Sequence, residues 1–159
     1  PQGKVVKSST DDKLNVNQRF IRDTLTQLIN EAPKCPTGDR DWNTFADGQF
    51  AVAVDYARRV LRKQEASPND FDSSSYLQAI EVLFLARQEL RVKGPSDNTK
   101  LRKRFLEIIE AVDKENKRLV DSGVGNLADL AESRQALERA QSRYEAAKTY
   151  EKSTTSYLR

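Results

Sequence analysis

Histidine and methionine are absent from this chain of 159 residues, and cysteine occurs once. Without histidine, the commonest general base is missing and no Ser-His-Asp or Cys-His arrangement can be assembled. Glu-x-x-His di-iron motifs are excluded for the same reason. A single cysteine, Cys35, forms no internal disulfide and cannot complete zinc-ligand spacing. No apolar run reaches the roughly 18 residues that suggest a membrane-spanning helix. Glycine (6) and proline (5) are scarce and fall mostly between periodic segments. No period-two strand pattern of any length occurs. No signal or transit segment is visible. The chain opens on Pro1 rather than methionine. Two expectations follow: a trimmed initiator, or a precursor cut on an organellar or secretory route. The lone cysteine makes a reducing compartment the simpler expectation, the cut precursor would be a processed organellar protein, and no more specific location follows.

What remains is rich in helix formers, namely Leu, Ala, Glu, Gln, Lys and Arg. Apolar residues make up 37% and charged residues 32%, with a mean hydropathy of −0.75. Such a chain builds an economical core under a heavily solvated surface. The net charge is +3, and no block of the sequence is strongly one-signed. A nucleic-acid binder usually gathers Lys and Arg on one face, and the sequence shows no such gathering.

Apolar spacing predicts five helices. The first runs from about Asn15 to Ala32 on Phe20, Ile21, Leu25, Leu28 and Ile29, and is stopped by Pro33 and Pro36. The second runs from Asp41 to Ala66 on Trp42, Phe45, Phe50, Ala53, Ala57 and Val60. Gly48 inside it marks a place for close helix contact. The third, Ser73 to Lys93, is apolar on more than one side and reads as the most buried. The fourth, Asn98 to Asp121, carries Leu101, Phe105, Ile109 and Val112, with Asn116 near the seam. The fifth, Asn126 to Tyr157, has only a narrow stripe, with Leu130, Leu137 and Tyr144 seven apart, like a coiled-coil seam. Short connections favour antiparallel neighbours. The expected fold is all-α: an antiparallel up-down four-helix bundle (14–121), an extended polar N-terminal arm (1–13), and a long C-terminal interaction helix (122–159) packed alongside or projecting.

Candidate chemistry is thin. Gly123-Val124-Gly125-Asn126-Leu127-Ala128 matches a dinucleotide fingerprint in letters, but a helix precedes it where a strand is needed, so it reads as an interhelical hinge. Asp11-Asp12 and Glu107/Glu110 read as solvated or ion-paired, and no metal, cofactor or catalytic residue is assigned. Two basic clusters are candidate anion-binding groups: Arg58, Arg59, Arg62 and Lys63, and Lys100, Arg102, Lys103 and Arg104. The second sits where cations oppose the helix dipole. Trp42, Phe45, Phe50, Phe84 and Phe105 fit the core. Leu130, Leu137, Tyr144, Tyr150 and Tyr157 are the candidate partner contacts, because tyrosine buries area while keeping a polar tip.

The chain is therefore expected to be a non-catalytic structural or assembly subunit that holds other protein subunits through its arm and last helix. The alternative is a helical, coat-type nucleic-acid or polyanion binder, which requires the two basic clusters to converge. A third is an enzyme or carrier using Cys35. A short Leu-rich helix, a loop, and a second helix opened by Trp42 resemble, over residues 15–121, the four-helix Q-type extrinsic subunits of photosystem II. The resemblance implies a processed N-terminus and a scaffolding role in peripheral association with a membrane complex. The fifth helix has no counterpart in that pattern.

Overall fold

The computed structural model describes residues 14–32, 40–67, 70–88 and 95–158, with side chains for 14–32, 48–67, 70–88 and 98–153. The arm 1–13, Cys35 and Leu90 lie outside the described residues, as do the side chains of Trp42, Phe45 and Tyr157. Among the described residues there are five helices and no strand: α1 (Val16–Glu31), α2 (Arg40–Ala66), α3 (Ser73–Gln88), α4 (Pro95–Asp121) and α5 (Leu127–Leu158). None is long and apolar enough to cross a membrane.

The helix ends follow from local chemistry. Asn15 caps α1 in a capping box: its side chain accepts from Gln18 N at 2.8 Å, and Gln18 Oε1 accepts from Asn15 N at 3.0 Å. Asp72 caps α3 by accepting from Ser75 N at 3.2 Å. Asn126 caps α5 by accepting from Ala128 N at 2.7 Å. Helix α4 begins at Pro95, three residues before the expected Asn98, since proline suits the first helical position, where its missing N–H is not needed.

The α4–α5 turn depends on two glycines. Gly123 has φ +83, and its N–H closes the end of α4 on the Val120 carbonyl at 3.0 Å. A Cβ on Gly125 would sit 2.5 Å from Val120 N. The hinge expected over 123–128 is thus a helix-closing turn. Gly48 differs from expectation. A Cβ there would meet nothing within 4 Å, so among the described residues no helix approaches it closely.

Helix α3 lies at the centre, in contact with all four other helices. Tyr76, Leu77, Ala79, Ile80, Leu83 and Phe84 are buried along it, as its lack of a polar face predicted. Around it pack Ile21, Leu25 and Leu28 of α1, Ala53, Ala57 and Val60 of α2, and Phe105, Ile109 and Val112 of α4. Phe84 and Phe105 meet with ring centroids 5.4 Å apart. Phe20, placed on the apolar face of α1 by spacing, stays partly in solvent, as does Leu85 of α3.

Buried amides set the helix directions. Asn17 Nδ2 donates to Asn116 Oδ1 at 2.7 Å, and Asn116 Nδ2 donates to the Asp129 carbonyl at 3.2 Å. At the other end, Glu31 takes a bidentate pair from Arg104 at 2.7 and 2.8 Å and a second contact from Arg87 at 3.3 Å. The start of α1 therefore meets the end of α4, and the end of α1 meets the start of α4. These two helices run in opposite directions.

One polar atom in this core is left over. The Tyr76 ring stacks on Phe71 with centroids 4.6 Å apart, and its hydroxyl is buried with no hydrogen-bond partner among the described residues. Burial pushes its pKa up to about 12. An unsatisfied buried hydroxyl costs about 1–3 kcal/mol, whereas an apolar group of the same shape avoids that cost. Tyr76→Phe is expected to raise the unfolding free energy by about 1 kcal/mol in urea titration. A loss of similar size would mean that the hydroxyl is satisfied.

Candidate interaction surfaces

Helix α5 carries all five residues that spacing marked as partner contacts. Its buried line is made of small residues: Ser133, Ala136, Ala140 and Ala147. Ala136 and Ala140 belong to the same core cluster as Ile109 and Phe84. Small side chains let α5 lie close against α4, and this pair makes the most extensive helix contact in the chain. Four polar contacts fix its register. The Asp129 carbonyl faces Asn116, Ser133 faces Asp113, the Arg143 carbonyl faces Arg102, and the Ala147 carbonyl faces Thr99. Position rises along α5 as it falls along α4, so the two are an antiparallel hairpin.

Ion pairs reinforce this seam. The buried Asp113 carboxylate accepts from Ser133 Oγ at 2.8 Å and from Arg134 Nε at 2.9 Å. Glu81, on the buried side of α3, takes Arg139 at 2.9 Å and is paired with Arg143 as well. Burial raises the pKa of Glu81, but the hydrogen bonds and charges of Arg139 and Arg143 outweigh it and hold the carboxyl below its ordinary value of 4.5. Ser74 of α3 also donates to Glu132 at 3.3 Å. Ser74 meets Glu132 and Glu81 meets Arg139, so α3 and α5 run in the same direction.

The predicted contact residues divide accordingly. Leu137 and Tyr144 are partly buried against the chain's own core, and Leu130 is half-buried. The Tyr144 ring also carries Lys148, with Nζ 4.7 Å from its centroid. The outward side of α5 presents Gln135, Glu138, Gln141, Ser142 and Glu145, a solvated face rather than an apolar seam. Tyr150 differs, being 63% exposed. Tyr157 lies in the last turn of α5, and its side chain is outside the described residues.

The basic clusters are held apart. Arg104 is paired with Glu31, and Arg102 donates to Gln88 and to the Arg143 carbonyl, both at 3.0 Å. Lys100 and Lys103 are exposed beside them. Arg58, Arg59, Arg62 and Lys63 are exposed on the last turns of α2, and Arg59 is paired with Asp55 at 3.2 Å. Lys63 and Arg59 line a cleft with Asp70 and Asp72, beside the Asp129 end of the bundle. Arg102 and Arg104 mark the Glu31 end, about 20 Å away along α4 at 1.5 Å per residue. The convergence that a polyanion surface requires does not occur between these clusters.

The Asp129 end gathers carboxylates that spacing alone did not bring together. Asp70, Asp72, Asp129 and Glu132 border one shallow cleft of about 270 Å³. Burial, then the charges of Glu132 and Asp72, raise the pKa of Asp129. Among the described residues no group of three or more acidic or thiol side chains is arranged to hold a metal ion. Glu107 and Glu110 are exposed.

Comparison of the chain with protein-family models, with curated proteins and with solved structures finds no match.

The Glu81 pair generates a pH-dependent expectation. A carboxyl whose folded pKa is depressed stabilises the fold above its unfolded value of 4.5, and that contribution is lost as pH falls through the lower folded value. Glu81→Gln should cost about 1–3 kcal/mol at pH 7, less than a fully buried pair because both guanidinium groups remain partly in water. The gap from wild type should close on acidification below about pH 4.5. Parallel acid-unfolding curves for the two proteins would show that the pair contributes nothing.

Proposed function

We propose that this chain is a non-catalytic structural or assembly subunit that holds other protein subunits through the free end of α5. The body of such a subunit would be an up-down bundle of α1 to α4, with α5 returning along α4. The pairwise directions fixed by Asn17, Glu31, Glu81 and Asp113 fit that order. The N-terminal arm would be a second attachment. A site of peripheral association with a membrane complex is compatible with the same role.

One observation carries the proposal. The α4–α5 register, extended to the first residue of α4, puts Pro95 opposite Tyr150, while α5 continues to Leu158. About two turns of α5 therefore have no α4 residue across from them. Short helical segments are marginal in water, so a neighbour that packs on this end would strengthen it. Tyr150 stands exposed at its root.

Against the nucleic-acid alternative stand the separation of the basic clusters and the internal partners of Arg102 and Arg104. Of the exposed cations in the two clusters, Lys63 lies in the last turn of α2, where it complements the dipole without any ligand, while Lys100 and Lys103 stay exposed at the far end of the bundle.

Light scattering at several concentrations, combined with amide exchange along α5, tests the role. Expected is either self-association lost on removal of 151–159, or a monomer whose residues 151–158 exchange far faster than 133–147. A monomer protected evenly to Leu158 would overturn the proposal, since its last helix would lack nothing.

A further inference from the structure

A cleft of about 220 Å³ lies between the end of α2 and the residues 70–76 that lead into α3. Its floor is apolar, formed by Val60 and Tyr76, both buried. One wall is α2, where Arg59 and Lys63 stand one turn apart with Tyr56 beside them. The opposite wall is the approach to α3, with Asp70 and Asp72.

Two of these charges are already committed. Asp72 caps α3, and its bonds from Ser75 N and Ser75 Oγ hold its pKa below the ordinary value. Arg59 is paired with Asp55. Lys63 and Asp70 are different. Neither side chain has a short-range ion pair or hydrogen bond among the described residues, although the Lys63 charge helps to hold the Asp72 carboxyl down. The cleft thus has a cation and an anion without direct partners across a floor of Val60 and Tyr76. An anion alone would face repulsion from Asp70 and Asp72. A cation alone would face it from Lys63 and Arg59.

We propose that the cleft binds a small zwitterion with an apolar or aromatic body, of the class of a free amino acid. Its carboxylate lies toward Lys63 and Arg59, its ammonium toward Asp70, and its body on Val60 and Tyr56. The volume falls below the roughly 300–1,000 Å³ of pockets for drug-sized ligands, which suits amino-acid size and not a nucleotide. The charges are solvent-exposed and bind weakly, so a dissociation constant on the order of 1 mM is expected. The proposal is independent of the subunit role above, and neither stands or falls with the other.

The test is an amide chemical-shift titration of the full chain with phenylalanine. Phenylalaninamide lacks the carboxylate, N-acetylphenylalanine lacks the ammonium, and inorganic phosphate supplies an anion alone. Expected are saturable shifts over 56–64 and 70–76 with phenylalanine, and binding at least about tenfold weaker for each half-charged analogue. Lys63→Gln should weaken phenylalanine but not its amide, and Asp70→Asn should weaken phenylalanine but not its N-acetyl form. Both residues are exposed, so neither variant threatens the core. Absence of saturable shifts at about 20 mM phenylalanine, a level far above the expected constant, would overturn the proposal. So would binding of phosphate or N-acetylphenylalanine as tight as that of phenylalanine, or indifference to both substitutions.

Discussion

The Glu81 carboxylate is the point on which the placement of the longest helix depends. It is a carboxylate on the largely apolar buried side of α3, and burial alone would make it a liability. Arg139 and Arg143, one turn apart on α5, convert it into a clamp. The apolar contribution of α5 is small, because alanine and serine line its seam and each buries little area. With so little hydrophobic drive, direction and register fall to polar contacts: Glu81 toward α3, Asp113 and Asn116 toward α4. A helix held by charge and close approach, rather than by large side chains, needs no broad apolar face.

That explains what could be read from residues alone and what could not. The helices were legible because Pro33, Pro68, Gly94 and Gly123 punctuate them, and because Ile21, Leu25, Ile80 and Ile109 recur at helical spacing. The centrality of α3 followed from its lack of a polar side. The role of α5 was less legible. Counting large apolar residues gives Leu130, Leu137 and Tyr144 as an unfilled seam. Ser133 and Ala136, which lie deepest, add almost nothing to such a count. Their helical spacing of three, then four to Ala140 and seven to Ala147, was the available signal. Ion partners fifty or more residues apart, such as Glu81 with Arg139, leave no local trace.

The basic clusters show the same limit from another side. Both look alike in sequence, yet Arg102 and Arg104 are consumed by carbonyls and carboxylates within the bundle, while Arg58, Arg62 and Lys63 stay in water. Only packing separates a structural arginine from an available one. The cleft beside Lys63 was likewise invisible, since its two walls come from a helix end and the approach to the next helix.

The Gly123–Gly125 turn has a consequence for the order of assembly. It joins the most extensively packed helix pair through a connection of only a few residues, so that pair forms with little loop-closure entropy. Helix α1 is different. Its amide and carboxylate bonds to α4 span 99 and 73 positions of the chain. The α4–α5 hairpin is thus the natural nucleus, with α3 docking on it through Glu81 and α1 closing last. The first helix in the sequence would be the last to be secured.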